Sequence, residues 1–184
     1  MNINATVDFP SGSRMIIVEN FFDAGLAADI NQLFDRDSTQ WEAVEQFSHY
    51  PGRLVYALND PVRDRIDAYA QSVTAEISAA VGQQVSFQNH SLWLDMPGYK
   101  ILPHVDSAHN PDVAVQVYMG QTNQVWEMLG FCIYTHSQKA LFEMHYRPNA
   151  GYIFSRPNQE LHGLNHSIPE PYRRKSVYLR YQLQ

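Results

Sequence analysis

Apolar and polar positions change period partway along the chain. Residues 15–18 are a short apolar run and predict a strand. After them Leu26, Ile30, Leu33 and Phe34 recur at helical spacing, and Asp23 stands where a helix N-cap belongs, so residues 24–35 predict an amphipathic helix. Asp37, Ser38 and Thr39 end it. Residues 41–44 and 53–58 predict strands joined through Pro51 and Gly52. Asn59, Asp60 and Pro61 start a second helix, with proline at its first position. Val62, Ile66, Tyr69, Val73 and Ile77 form its apolar stripe to about residue 81, where Gly82 stops it. The polar faces of both helices are mixed in sign, which favours packing against a sheet over lying on a membrane.

From Val85 the texture becomes short runs rich in Val, Ile, Tyr and Phe, punctuated by Pro and Gly. Residues 85–94, 101–106, 113–119, 131–134, 140–146, 151–154 and 176–182 predict strands, and so many short strands suggest an antiparallel sandwich or barrel. Residues 121–124 read as a hairpin loop or a mobile flap. No repeat, low-complexity tract or linker divides the chain, so one domain over residues 1–184 is expected.

Composition narrows the function classes. The chain has 184 residues, 45% hydrophobic and 17% charged, which suits a globular domain with a sizeable core. A formal net charge of −6 argues against a nucleic-acid backbone as partner. The single cysteine, Cys132, excludes an internal disulfide, and its apolar neighbours predict a buried thiol. No apolar run approaches the ~20 residues of a membrane span. Residues 1–13 lack the basic-then-apolar layout of a signal peptide, so no membrane partner and a cytoplasmic location are expected.

The candidate chemistry starts at Pro103-His104-Val105-Asp106-Ser107. In an extended segment residues i and i+2 share a face, so His104 and Asp106 can converge. One imidazole and one carboxylate suit a divalent transition metal such as iron(II), and a second histidine would complete a facial triad with an open side. Among eight histidines His162 is the candidate for that ligand. His166 forms H-x-x-x-H with it, but Gly163, Asn165 and Pro169 oppose a helix there, so His166 is read as a supporting or loop residue. Asp95, His109 and Asp112 are rival ligands without the i, i+2 geometry. Arg174, Ser176, Tyr178 and Arg180 alternate with Val177, Leu179 and Tyr181, giving one polar and one packed strand face. Arg174 with Ser176 could grip a carboxylate through a charge-assisted bidentate contact; a solvated basic strand is the plainer alternative.

In this order the pattern resembles the iron(II)- and 2-oxoglutarate-dependent dioxygenases, in particular the prolyl 4-hydroxylase-like branch. Met96-Pro97-Gly98 before His104-Val105-Asp106 is similar to the family's lead-in and first ligand pair. Residues 115–119, residues 147–154, His162-Gly163 and Arg174-Lys175-Ser176 are similar to its later motifs. The resemblance implies a mainly β fold with flanking helices: a double-stranded β-helix (jelly roll, cupin-like) over residues 83–184, with two helices from residues 20–82 packed on one sheet. It implies Fe(II) on His104, Asp106 and His162, and 2-oxoglutarate as co-substrate with its distal carboxylate on Arg174, Tyr118 and Ser176. It also implies O2 as oxidant and ascorbate as a supporting reductant. No separate catalytic acid, base or nucleophile is required. The implied reaction is hydroxylation of a C–H bond, a prolyl residue of a peptide or protein being one candidate, with release of succinate and CO2. Residues 126–130 replace the family's Gly-Gly-Glu-Thr segment, which argues against a collagen-like peptide. The alternatives are an oxygenase of a free amino acid or small metabolite, and a non-catalytic metal-binding sensor on the same scaffold. The substrate and the oligomeric state have no signal in the sequence.

Overall fold

The computed structural model describes residues 1–36, 38–43, 52–107, 112–120 and 129–184. Val44, Pro51 and the loop expected at 121–124 lie outside the described residues. Among the described residues, eleven strands form two antiparallel sheets. In chain order they are β1 (Asn2–Asp8), β2 (Arg14–Glu19), β3 (Trp41–Ala43), β4 (Arg53–Tyr56), β5 (Val85–Asp95) and β6 (Val113–Met119). Then come β7 (Cys132–Tyr134), β8 (Ala140–Glu143), β9 (Ala150–Ser155), β10 (Leu161–Gly163) and β11 (Arg174–Leu183). The large sheet has the order β1-β2-β9-β6-β11-β5-β4-β3, and β10-β7-β8 faces it as a small sheet. This is the double-stranded β-helix that the motif order implies.

The helices cover the outer face of the large sheet. α1 (Ala24–Phe34) starts where Asp23 Oδ1 accepts the Leu26 N–H at 2.9 Å, satisfying a donor that the first helical turn leaves open. Leu26, Ile30 and Leu33 are buried along its inner face. Each such side chain contributes about 1.5–3 kcal/mol of burial. The second helix differs from expectation: α2 (Pro61–Ser72) and α3 (Thr74–Val81) are separate, broken at Val73. Ser72 Oγ donates to the Tyr69 carbonyl and Thr74 Oγ1 to the Ala70 carbonyl. Such back-bonding competes with the helical ladder and bends it, and Val73 at φ −92, ψ 4 takes up the bend. The apolar stripe still runs through the break, from Val62 and Ile66 to Val73 and Ile77. Gly82 closes α3 at φ +77, a conformation open to glycine at no steric cost.

β6 is buried along its whole length because both faces are covered. Val113, Val115, Val117 and Met119 meet the helices. Ala114, Gln116 and Tyr118 face inward. Between the sheets, Tyr118, Tyr152 and Phe154 from the large one pack with Phe131 and Ile133 beside the small one. On β11 the alternation is as expected, with Val177, Leu179 and Tyr181 in the helix-side core. Two strands had no sequence signal: the exposed edge strand β1 and the three-residue β10.

The strand expected at 101–106 is absent. Only one bridge forms there, between His104 and His162. Pro103 lacks the N–H needed to extend a ladder, and Leu102 and Val105 on either side are 59% and 51% exposed.

Candidate metal centre and its pocket

That bridge brings the two histidines together. The His104 N–H donates to the His162 carbonyl at 2.9 Å and the His162 N–H returns to the His104 carbonyl at 2.8 Å. A pair exchanging both bonds projects its side chains from the same face. The imidazole centroids lie 4.6 Å apart. The next turn of loop carries Asp106 back toward them, with Oδ1 3.5 Å from Nε2 of each ring. The convergence comes from the cross-strand pair and this turn; no strand at 101–106 produces it.

Each ring is held in one tautomer. His104 Nδ1 lies 2.9 Å from the Leu102 carbonyl and His162 Nδ1 lies 2.8 Å from the Glu160 carbonyl. A carbonyl can only accept, so Nδ1 carries a proton and Nε2 is the atom that faces Asp106, where it either binds a metal ion or takes a second proton and donates to the carboxylate. This is how metal-ligating histidines are oriented. The three candidate ligand atoms lie within 4.8 Å of one another. Metal–ligand bonds of roughly 2.1 Å need neighbouring ligand atoms about 3 Å apart, close to the 3.5 Å found. Burial works to raise the Asp106 carboxyl, but hydrogen bonds from His104 and His162 outweigh it and hold it well below the usual carboxylate range. Burial works to lower His104, yet Asp106 and the Leu102 carbonyl leave it raised. The anion and the two imidazoles draw positive charge, whether protons or a metal ion, into the space between them.

The triad opens into a cavity of about 130 Å³. Phe131 and Phe154 flank His162 at ring distances of 5.3 and 5.7 Å. On the large-sheet side the cavity is lined by Arg53, Trp93, Tyr178, Arg174 and Arg180. Arg174 is buried, and its Nε donates to Asp95 Oδ2 at 2.9 Å, with Nη2 also 2.9 Å from that oxygen. Nη1 reaches the Leu129 carbonyl at 3.4 Å. The side of the guanidinium fork is thus taken and hydrogens on its Nη1–Nη2 end are left over. Beside it the Tyr118 hydroxyl is fully buried and, among the described residues, has no hydrogen-bond partner of good geometry, the Phe131 backbone being its nearest polar neighbour on the main chain. Burial pushes that hydroxyl up to about 12, against the pull of Arg174 and the Phe131 backbone. A buried orphan hydroxyl and a half-used guanidinium, 5.9 Å from ring centroid to Cζ, lack a common acceptor.

The other expected residues fall as follows. Ser176 Oγ accepts from Gln116 Nε2 at 3.0 Å, while Gln116 Oε1 accepts from the Tyr152 hydroxyl at 2.6 Å. Ser176 therefore belongs to a chain behind the cavity wall; neither it nor Tyr118 is among the lining residues, but the Tyr118 hydroxyl, unlike that of Ser176, is not engaged by a side chain. Asp95 is no metal ligand: it is wholly buried, with Arg53 Nε 2.6 Å from Oδ1 and Arg53 Nη2 3.0 Å from Oδ2. Asp112 accepts the Leu183 N–H at 3.0 Å. His166 is exposed on a loop. His109 lies outside the described residues. Cys132 is buried, and burial pushes its thiol up.

Sequence reasoning missed Arg53, which sits 42 positions before its partner Asp95 and has no local pattern to mark it. It also gave no role to Gln116, although a lone polar residue in an apolar strand is a signal.

No family model matches the chain, and no curated protein matches it by sequence. Solved structures do match in shape. HygX from Streptomyces hygroscopicus, with nickel, 2-oxoglutarate and hygromycin B bound, has a TM-score of 0.66 at 15% identity, over 92% of this chain and 83% of that one. A Pseudomonas putida prolyl-4-hydroxylase has a TM-score of 0.65 at 13% identity, over 92% of both chains. A prolyl hydroxylase from Trichoplax adhaerens, in complex with a hypoxia inducible factor peptide fragment, has 0.65 at 12%, over 91% and 83%. At these identities the likeness is one of fold. No helix among the described residues is long and apolar enough to cross a membrane.

Proposed function

We propose that this chain is an iron(II)- and 2-oxoglutarate-dependent oxygenase that hydroxylates a C–H bond and releases succinate and CO2. The observation that carries the reading is a single cavity. His104, Asp106 and His162 line or bound it with their ligand atoms converged, and Arg174 lies on its wall beside the orphan Tyr118 hydroxyl. Two neutral imidazoles and one carboxylate suit iron(II) and leave positions open for other ligands. The missing acceptor between Arg174 and Tyr118 suits a carboxylate, which takes a guanidinium edge and a phenol together. Bound there, iron(II) with the keto acid and dioxygen supplies the oxidising chemistry. The chain's own work is to fix the tautomers through Leu102 and Glu160, hold the distal carboxylate, and keep water from the Phe131–Phe154 wall. No side chain is needed as acid, base or nucleophile.

The cavity's small size bears on the substrate. At about 130 Å³ it falls below the roughly 300–1,000 Å³ of ordinary ligand pockets. It has room for a small keto acid, so the bulk of a substrate sits outside it, and Leu102 and Val105, close to His104 in the chain, expose apolar surface. A prolyl residue of a peptide fits this as one candidate and a small metabolite as another. Neighbours of the same fold hold a peptide fragment in one case and hygromycin B in another.

The test is succinate formation from 2-oxoglutarate with iron(II), oxygen and ascorbate, alongside calorimetric titration of manganese(II) and then 2-oxoglutarate. Metal-dependent keto acid binding with succinate release supports the oxygenase. Metal binding without keto acid binding removes it.

A further inference from the structure

Three arginines line the cavity, and one is unlike the others. Arg53 and Arg174 share Asp95. Arg180 has no carboxylate within 4.0 Å among the described residues, and its Nε is buried without a hydrogen-bond partner. It is half-buried, so its charge is partly withdrawn from water and not repaid by a protein anion. Its guanidinium stands 5.6 Å from the Tyr178 ring. That ring stacks on Trp93 at 4.2 Å and 19°, and Arg53 also lies 4.0 Å over the Trp93 ring. A rigid aromatic ladder therefore sets where Arg180 stands on the cavity wall.

Resting on the oxygenase reading, we propose that Arg180 receives a carboxylate on the substrate, so that the substrate is an acid. Arg174 and Arg180 are six positions apart on one strand, a backbone rise of roughly 20 Å, so they enter the cavity from opposite ends of its wall. With the distal carboxylate of the co-substrate on Arg174, the Arg180 end of the wall is assigned to the substrate. Charge points to the class. With a divalent cation on the triad and a dianionic keto acid bound, Asp95 and Asp106 leave one positive charge over among the residues named, that of Arg180. A carboxylate cancels it. A phosphate monoester, at about −1.5 to −2, would overshoot. The guanidinium fork fits a carboxylate through two parallel N–H···O bonds, which also fixes the substrate's orientation relative to the metal.

The test uses the 184-residue chain loaded with manganese(II) and 2-oxoglutarate. A panel of amino acids and N-acetyl amino acids, proline derivatives among them, is titrated against the matching amides, with phosphoserine as a further arm. At least one acid is expected to bind about tenfold or more tightly than its amide. R180Q is expected to erase that difference and R180K to keep part of it, with amide affinity the same in all three proteins. Amides binding as well as acids, no acid binding, phosphoserine binding more tightly than every carboxylate, or an acid preference that survives in R180Q would each overturn the proposal. Titration of 2-oxoglutarate into the metal-loaded proteins separates the two readings. If the keto acid fails to bind wild type, the oxygenase reading itself is lost. If it binds wild type but R180Q weakens it tenfold, Arg180 belongs to the co-substrate anchor and the proposal falls alone.

Discussion

Asp95→Asn keeps the side chain's shape and removes the carboxylate that two buried guanidiniums share. Asp95 is 0% exposed, and the side chains of Arg53 and Arg174 are 4% and 3% exposed. Breaking a buried pair from one side costs about 3–5 kcal/mol, because the partner's charge is left in a poorly solvating interior. Domains have only about 5–15 kcal/mol in total. With a urea m-value of about 2 kcal/mol/M, a loss of about 4 kcal/mol lowers the unfolding midpoint by about 2 M. The pH dependence gives a second readout. Burial works to raise the Asp95 carboxyl, but Arg53 and then Arg174 hold it below the usual carboxylate range. Its folded value is thus depressed relative to about 3.9 in the unfolded chain. The unfolded chain takes up a proton first as pH falls, so the contribution is complete above about pH 5 and is lost as pH falls through the folded value. The gap between wild type and D95N is therefore widest at neutral pH and closes in acid. A D95N protein within about 1 kcal/mol of wild type at pH 7, or a gap as wide at pH 3 as at pH 7, would refute the reasoning.

Asp106→Ala is expected to abolish manganese(II) binding by calorimetry and succinate release together, since a three-ligand site cannot spare its only anion; retained binding would remove Asp106 from the site. Arg174→Ala should weaken 2-oxoglutarate by about a hundredfold while metal affinity holds, and Tyr118→Phe should weaken it by about tenfold, as suits one hydrogen bond to a charged group. A loss of metal affinity alone in R174A would give that arginine another job. A Cβ added at Gly163 would lie 2.8 Å from the Ile101 carbonyl, so Gly163→Ala must push the 101–104 segment off β10. It should cost about 1–3 kcal/mol in thermal melts and also lower metal affinity; unchanged metal affinity would show that the His104–His162 bridge does not set the ligand geometry.

What could be read from the sequence is what has a local pattern. The caps at Asp23 and Asp60-Pro61 and the alternation of β11 each leave a mark within a few positions, and each reappears in the structure. The exposed strand β1 has no apolar face to give a period, and β10 is too short to have one. The segment at 101–106 has a strand's composition, but Pro103 denies it a ladder. The triad was legible because its residue types are rare in that order, even though the geometry behind its convergence was misread. Arg53 and Asp95 were illegible as a pair for the opposite reason. Charged residues on separate strands look like surface positions until the fold buries them against each other.

The two halves of the candidate site hang from different sheets. His104 and His162 belong to the edge of the small sheet, while Arg174 and Arg180 project from the large one. Among the described residues, no ladder contact in the site itself joins the two sheets. Their separation is set by the aromatic layer between the sheets, where Phe131 meets Tyr152 at 4.5 Å and Phe154 at 6.0 Å. Close-packed layers resist small displacements, so this layer acts as a spacer. Losses of metal affinity and of keto acid affinity should then be separable for residues on either sheet, as in D106A against R174A. They should appear together only when the spacer is thinned. Phe131→Ala is the substitution in which binding of the metal remains possible and the reach from metal to Arg174 changes.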